Sequence, residues 1–310
     1  MGGGARLGAV AMNLEEGVEL RRFTTLGTGG PARAFARPQT LAALDDAMAR
    51  AGARGLEVIP VGLGSNLLAA DEGVDALVLK LSGELASVEV DGTSVRAGGG
   101  APLAVCLHRA RDAGLGGLEF ACAIPGTAGG AVWMNAGAYG GEIAHVLSRA
   151  LVVDGSGAAW RTPGELGFEY RRSQLRRGQV VAAVELRLEP RAVEEIKAVV
   201  AGMQAQRKAA QPTNKRTFGS VFKNPEHELS AGRMLEACGL KGFRIGGAQI
   251  SPRHANFIEN ADGATSRDAL ALMAEARRRA LAQFGVVLEH EVQLVGALEL
   301  PPAGDVASPR

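Results

Sequence analysis

Six glycines fall within the nineteen residues of IPGTAGGAVWMNAGAYGGE (124–142), with Thr127, Asn135 and Tyr139 between them. No other stretch constrains the fold as strongly. Turns alone need few positions without a Cβ, so this density points to backbone that must lie close to a ligand. A shorter loop, GLGSN (62–66), has the same character. It departs from the dinucleotide fingerprint, which needs a third glycine and an immediate helix, because Leu67 and Leu68 follow at once. It also lacks the Lys-Ser/Thr pair of a P-loop. Its small residues still let several N–H groups converge on one anion, with Ser65 and Asn66 adding side-chain bonds. A tight turn between two strands is the alternative.

The 43 glycines and 13 prolines sit in discrete loops between periodic segments, which is not the pattern of a low-complexity tract. Residues 32–38 read as a strand. The next segment is a helix with Leu41, Leu44, Ala47 and Met48 on one face and Gly52 as its stop. LEVIPV and residues 75–81 supply two further strands, giving a small α/β layer over 20–81. From residue 82 the texture changes. VEVDGTSVRAG and ALVVDGSGAAWRTP are Asp-Gly hairpin signals, APLAVCLHRARDAG is a helix, and QVVAAVELRLEP is a strand. Residues 82–191 therefore form an α+β unit.

A long helix ending before Pro212 opens a third unit, 192–300. It continues with a short strand SVF, a helix LSAGRMLEACGLKG and a strand HANFIEN. Thr265 and Asp268 make a capping-box pattern, and the helix behind them runs to Gly285 with Leu270, Met273, Leu281 and Phe284 on its buried side. VLEHEVQLVG closes the unit as a strand. Residues 1–19 and 301–310 are expected to be flexible.

With 46% apolar and 22% charged residues the chain has the composition of a globular protein. A formal net charge of +1 gives no support to a nucleic-acid partner, and no apolar run is long enough to span a membrane. The three cysteines, Cys106, Cys122 and Cys238, have neither metal nor redox spacing, which fits a reducing, cytoplasmic setting. Two glycine loops on neighbouring units suit a long, anionic, ring-bearing ligand such as FAD. The candidate contacts are Gly62, Leu63, Gly64, Ser65, Asn66 and Leu67 in the first loop. In the second they are Pro125, Gly126, Thr127, Gly129, Gly130, Asn135, Gly137, Ala138, Tyr139 and Gly140.

TTLGTGGPA, VGLGSNLL, GLEFACAIPGTAGGAVWMNAGAYGGE, FEYRRS, TFGSVFKNP, GGAQISPRHANFIEN and LEHEVQLVG occur in that order. Together they resemble the UDP-N-acetylenolpyruvoylglucosamine reductase family of bacterial cell-wall synthesis, over roughly residues 20–300. The resemblance implies an α+β protein. Its FAD-binding fold, in two subdomains, is similar to the vanillyl-alcohol oxidase class, and a C-terminal α+β domain binds substrate. No histidine precedes His108, so FAD is expected to be held noncovalently. The only tyrosines are Tyr139 and Tyr170. Neither lies between the long helix and GSVFKNP, so the chain resembles the branch of the family without a tyrosine-bearing loop.

The implied reaction reduces an enolpyruvyl ether of a UDP-sugar to a lactyl ether, with NADPH as co-substrate, and requires hydride at C3 and a proton at C2. Such a site needs a cation on the carboxylate, a group that manages the enolate and a positioned acid. By resemblance Arg171 holds the carboxylate, its planar guanidinium matching two oxygens. Glu291 is the catalytic carboxyl, expected to have a raised pKa, and Ser220 is the proton donor. Taken without the resemblance, Arg171 reads sooner as a surface residue of a basic cluster and Glu291 as the solvent side of a strand. In an extended strand Asn224 shares the face of Ser220 and Lys223 opposes it, which makes Asn224 the better candidate for the same pocket; by resemblance it is a substrate contact. Arg207, Lys208, His254 and Asn256 are further candidates for the UDP moiety, with solvated or structural roles as the alternative. A monomer or weak oligomer is expected. The competing readings are an oxygen-using FAD oxidase of the same fold and a nucleotide-binding module without chemistry.

Overall fold

The computed structural model describes residues 13–304; the expected flexible segments 1–12 and 305–310 lie outside the described residues. Three sheets organise the chain. The first runs Val18–Glu19, Pro31–Ala36, Val74–Leu79, Glu57–Pro60 in spatial order, with the last three strands parallel. The helix Leu41–Ala53 makes the crossover, its N-terminus capped by the Thr40 hydroxyl. It buries Leu44, Ala47, Met48 and Ala51, while Leu41, its first residue, is exposed. The expectation of flexibility fails from Glu15 onward. Glu15 exchanges both backbone hydrogen bonds with Phe35, and Val18–Glu19 pairs with Pro31–Ala32. A partner so far along the chain leaves no mark in a segment too short to show a period. Residues 301–304 are likewise held, by Arg277 donating to the Pro301 carbonyl and by burial of Ala303.

The second sheet is antiparallel throughout: Gly157–Arg161, Leu147–Asp154, Val180–Arg187, Ser94–Gly98, Val88–Asp91. Both Asp-Gly signals form the expected hairpins. The long helix, Val193–Ala210, lies against this unit and does not open the third. Val200 packs on the second core, and Tyr139 donates from its hydroxyl to the Met203 carbonyl.

The third sheet orders Thr217–Ser220, Phe257–Asn260, Ala248–Ile250, Arg244–Ile245, all antiparallel. The helices Ala231–Ala237 and Ser266–Phe284 bury apolar side chains in its core. The Thr265/Asp268 capping box forms, and Gly285 ends the helix in the left-handed region. The buried stripe is Ala269, Leu272, Met273, Ala276 and Ala280, rotated from the expected one, with Leu270 and Phe284 at its margin. Alanines bring a helix close to its sheet, and a reading weighted by large side chains misses them.

VLEHEVQLVG does not close the third unit as one strand. Residues 289–291 run beside 221–223, with Lys223 N–H donating to the Glu289 carbonyl and Glu291 N–H to that of Val221. The chain then crosses over, and Gln293–Val295 pairs in parallel with Leu67–Ala69 of the first unit. A second tie lies at the start of the helix Ser266–Phe284. Asp71 accepts from the N–H groups of Ser266 (3.0 Å) and Arg267 (3.2 Å), and the Ser266 hydroxyl meets that of Thr28. Removing a carboxylate from a helix N-terminus costs about 0.5–2 kcal/mol. Asp71→Ala should lower the unfolding free energy by about that amount in urea titration; an unchanged midpoint would mean that the capping box alone satisfies this helix end.

Candidate active site

The three units enclose a cavity of about 670 Å³, within the size range of ligand sites, ~300–1,000 Å³. Gly62 to Leu67 line it in full. Gly64 is left-handed (φ 67°), and a Cβ there would lie 1.9 Å from the Phe23 carbonyl oxygen; a Cβ at Gly62 would lie 2.7 Å from Thr127 Oγ1. The loop therefore touches both its own unit and the second loop. Its polar side chains are engaged within the protein. The Ser65 hydroxyl donates to the Pro125 carbonyl, and Asn66 Nδ2 donates to the Glu291 carbonyl at 3.1 Å. What this loop offers a ligand is backbone.

From the second loop Pro125, Gly126, Thr127, Gly129, Gly130, Gly137, Ala138 and Tyr139 line the cavity; Asn135 and Gly140 do not. A Cβ on Gly129 would meet the carbonyls of Gly99 and Val181 at 2.9 and 3.0 Å. Thr127 caps the short helix Ala128–Trp133. Asn135 is buried and left-handed (φ 40°). Its amide is fully engaged, donating to the Glu169 carbonyl and accepting from Ala144 N–H.

Those bonds explain the position of Arg171. Glu169 and Arg172 exchange backbone hydrogen bonds across a tight turn, and Arg171 takes φ 56° within it. Three side chains fasten this turn to the second loop: Asn135 to Glu169, Ser173 to the Trp133 carbonyl at 2.7 Å, and Arg171 to the Gly137 carbonyl at 2.6 Å. A left-handed arginine is costly, on the order of 1–3 kcal/mol, and persists only where its surroundings over-determine it. Here it aims a guanidinium into the cavity, 3.4 Å from Glu291 Oε1 and beside the Tyr170 ring.

Glu291 comes from the crossing segment. Its N–H donates to Val221 of the third unit and its carbonyl accepts from Asn66 of the first. Its carboxyl faces Arg171 of the second, with both side chains about four-fifths buried. Burial pushes the Glu291 carboxyl up from its ordinary value, while Arg171 and Lys223 pull the other way and are outweighed. Lys223 is itself bonded to Glu289 at 2.6 Å.

Ser220 lines the same cavity, and a one-residue bulge puts it there. Three steps from Thr217 to Ser220 oppose two from Glu259 to Phe257, with Gly219 left-handed at φ 82°. Such a bulge re-aims the next side chain. A Cβ on Gly219 would come within 3.3 Å of the Ser65 carbonyl, so the glycine serves both the bend and the approach to the first loop. The bulge and the end of the strand at Ser220 also correct the alternation argument. Asn224 is exposed and caps the next helix by accepting from Ala231 N–H.

The remaining candidates divide. Arg207 lines the cavity, with its Nε bonded to Gln211. Lys208, one residue further round the helix, does not, and its carbonyl accepts from Arg253. Asn256 is buried and makes two bonds with the backbone of Phe222. His254 packs on Phe257, accepts from Asn256 N–H and has its pKa lowered by burial. Both act behind the strand and not in the cavity lining. Sequence reasoning missed Gln293, which lines the cavity; its spacing of two from Glu291 was the available signal. It also missed Trp133, Arg177 and Gln206, for which no local pattern exists.

Among known proteins, a family model described as UDP-N-acetylenolpyruvoylglucosamine reductase, C-terminal domain, matches residues 211–295, and an FAD binding domain model matches residues 32–163. A reductase of that name from Symbiobacterium thermophilum is 46% identical over 279 residues, covering 89% of this chain and 90% of its own. One from Anaeromyxobacter dehalogenans is 43% identical, over 90% and 84%. The crystal structure of UDP-N-acetylenolpyruvylglucosamine reductase from Thermus caldophilus superposes with a TM-score of 0.80 at 39% identity, over 92% of this chain and 99% of that one. The cavity fits an FAD-sized group. Two loops bring backbone to its surface where a Cβ has no room, and three guanidinium groups, Arg171, Arg177 and Arg207, border it.

A carboxyl whose folded pKa is raised contributes stability below its unfolded pKa and loses it as pH rises through the folded pKa. Glu291→Gln removes that loss. Its melting temperature, relative to the parent, should therefore rise between pH 4 and pH 8. A relative fall over this range would mean that the ion pair with Arg171, not burial, governs Glu291.

Proposed function

Because this chain belongs to the UDP-N-acetylenolpyruvoylglucosamine reductase family, we propose that it reduces UDP-N-acetylglucosamine enolpyruvate to UDP-N-acetylmuramate. The reading places the protein in peptidoglycan precursor synthesis in the cytoplasm, as a monomer or weak oligomer with no nucleic-acid or membrane partner. Among the described residues no helix is long and apolar enough to cross a membrane. FAD would be held noncovalently by the two glycine loops and, once reduced by NADPH, would supply hydride to C3 of the enol ether. Noncovalent attachment is supported by a lining without histidine or cysteine.

One observation carries the reading: Arg171, Glu291 and Ser220, contributed by three separate segments, border one cavity. Arg171 binds the enolpyruvyl carboxylate, the fork of the guanidinium matching its two oxygens. A second carboxylate beside Glu291 raises that group's pKa further. The raised pKa favours the protonated form of Glu291, which leaves Arg171 to the substrate. As hydride reaches C3, charge moves through C2 onto the carboxylate. Arg171 and the Glu291 O–H, both on side chains about four-fifths buried, stabilise it. The Ser220 hydroxyl then gives its proton to C2. Arg207, at the cavity edge, suits the diphosphate. Lys223, bonded to Glu289, acts on Glu291 electrostatically and leaves Ser220 as the donor.

The purified protein should be yellow, bleach with NADPH under anaerobic conditions, and recolour when the enolpyruvyl substrate is added without oxygen. Recolouring only in air would favour the oxidase reading. Ser220→Ala should leave bleaching by NADPH unchanged and slow recolouring by at least ~10²–10⁴-fold, the range of general acid catalysis. Equal slowing of both half-reactions would assign Ser220 to the structure of the site.

A further inference from the structure

Three carbonyls of the first glycine loop are held by donors within the protein. Gly62 O accepts from Lys80 Nζ at 2.6 Å. Gly64 O accepts from Thr25 N–H at 3.1 Å and from the Thr25 hydroxyl at 3.2 Å. Asn66 O accepts from Gln293 N–H at 3.0 Å. Among the described residues, the N–H groups of Gly62 to Asn66 have no hydrogen-bond acceptor, and residues 62–67 line the cavity. Such a run of N–H groups suits an anion. Two of the three anchors are backbone or hydroxyl donors. Lys80 alone brings a charge.

Lys80 is half-buried at the end of the central strand Val74–Leu79, behind the loop. Arg37 stands near it, its guanidinium 5.3 Å from the rings of both Phe23 and Phe35. The two like charges act on each other, and with burial they lower the pKa of Lys80. A half-buried cation facing a neutral carbonyl and a second cation is unfavourable for the protein alone. An anion on the other side of the loop supplies the missing counter-charge.

We propose that Lys80 is a positioning residue of the diphosphate cradle, holding the Gly62 carbonyl and placing a positive charge beneath the anion. This rests on the reading that the cavity binds FAD. Lys80 touches the ligand only through the loop, so its effect falls on affinity and ionic-strength dependence and not on the chemical steps.

The test is the dissociation constant of FAD for the apoprotein, followed by flavin fluorescence at several salt concentrations, with the melting temperature of each apoprotein as a control. Lys80→Met should weaken FAD binding by about ten- to a hundredfold, the loss expected for one charge-assisted hydrogen bond. It should also flatten the salt dependence and leave apoprotein melting nearly unchanged. Lys80→Arg, which keeps charge and donor, should restore affinity to within a few-fold. If Lys80→Met fails to fold, Lys80→Gln provides the neutral comparison. Unchanged affinity in the neutral variant, or equal salt dependence in neutral and charged forms, would overturn the proposal. Failure of the parent chain itself to bind FAD would instead overturn the cofactor reading.

Discussion

Glu291 is the residue on which the arrangement turns. Its N–H bonds to the third unit at Val221, its carbonyl to the first at Asn66, and its carboxyl to the second at Arg171. One residue thus registers three units around a single cavity. The chain crosses at this point from the edge of the third sheet to a parallel pairing with the first. A shift of one residue in that crossing would turn the carboxyl to the opposite face. The site is consequently a product of tertiary closure. Arg171 is far from Glu291 in sequence, and each is held by bonds to backbone outside its own segment.

Backbone geometry that costs energy gathers at the same place. Asn135, Tyr139 and Arg171 are the non-glycine residues with positive φ among the described residues. All three belong to the turn-and-loop assembly beside the cavity. Gly219 adds a left-handed bulge on the facing strand. Ordinary loops relax such strain; here buried side-chain bonds from Asn135, Ser173 and Arg171 to neighbouring carbonyls oppose relaxation. Rigidity of this kind keeps donors fixed before charge develops, which is what electrostatic stabilisation of an enolate requires.

Much of this was legible in the sequence. The Asp-Gly hairpins and the Thr265/Asp268 capping box are local signals, and they formed as read. Arg171, Glu291 and Ser220 came from motif resemblance, since nothing in their local pattern separates them from surface residues. What the sequence hid was long-range. The pairing of Glu15 with Phe35, the crossing at Glu291 and the packing of the long helix on the second unit each depend on partners many residues away. The backbone bonds of Asn224 and Asn256 were hidden for a related reason. A polar residue near a site resembles a ligand contact until its amide is seen bonded to backbone, as both are here. The rotated stripe on the helix Ser266–Phe284 shows the opposite error, in which small alanines outrank larger residues at a close interface.

The claim most exposed to test is that burial, and not the ion pair with Arg171, sets the protonation of Glu291. Carbon-13 labelling of the glutamate side-chain carboxyls, with Glu291→Gln to assign the resonance, allows its titration to be followed directly by NMR. The account predicts a midpoint above the ordinary 4.5 of a glutamate, rising further when Arg171 is replaced by Met. A midpoint at or below 4.5 in the parent protein would contradict it, because Glu291 would then stand ionised against Arg171 and its carboxylate would have no O–H to donate a hydrogen bond.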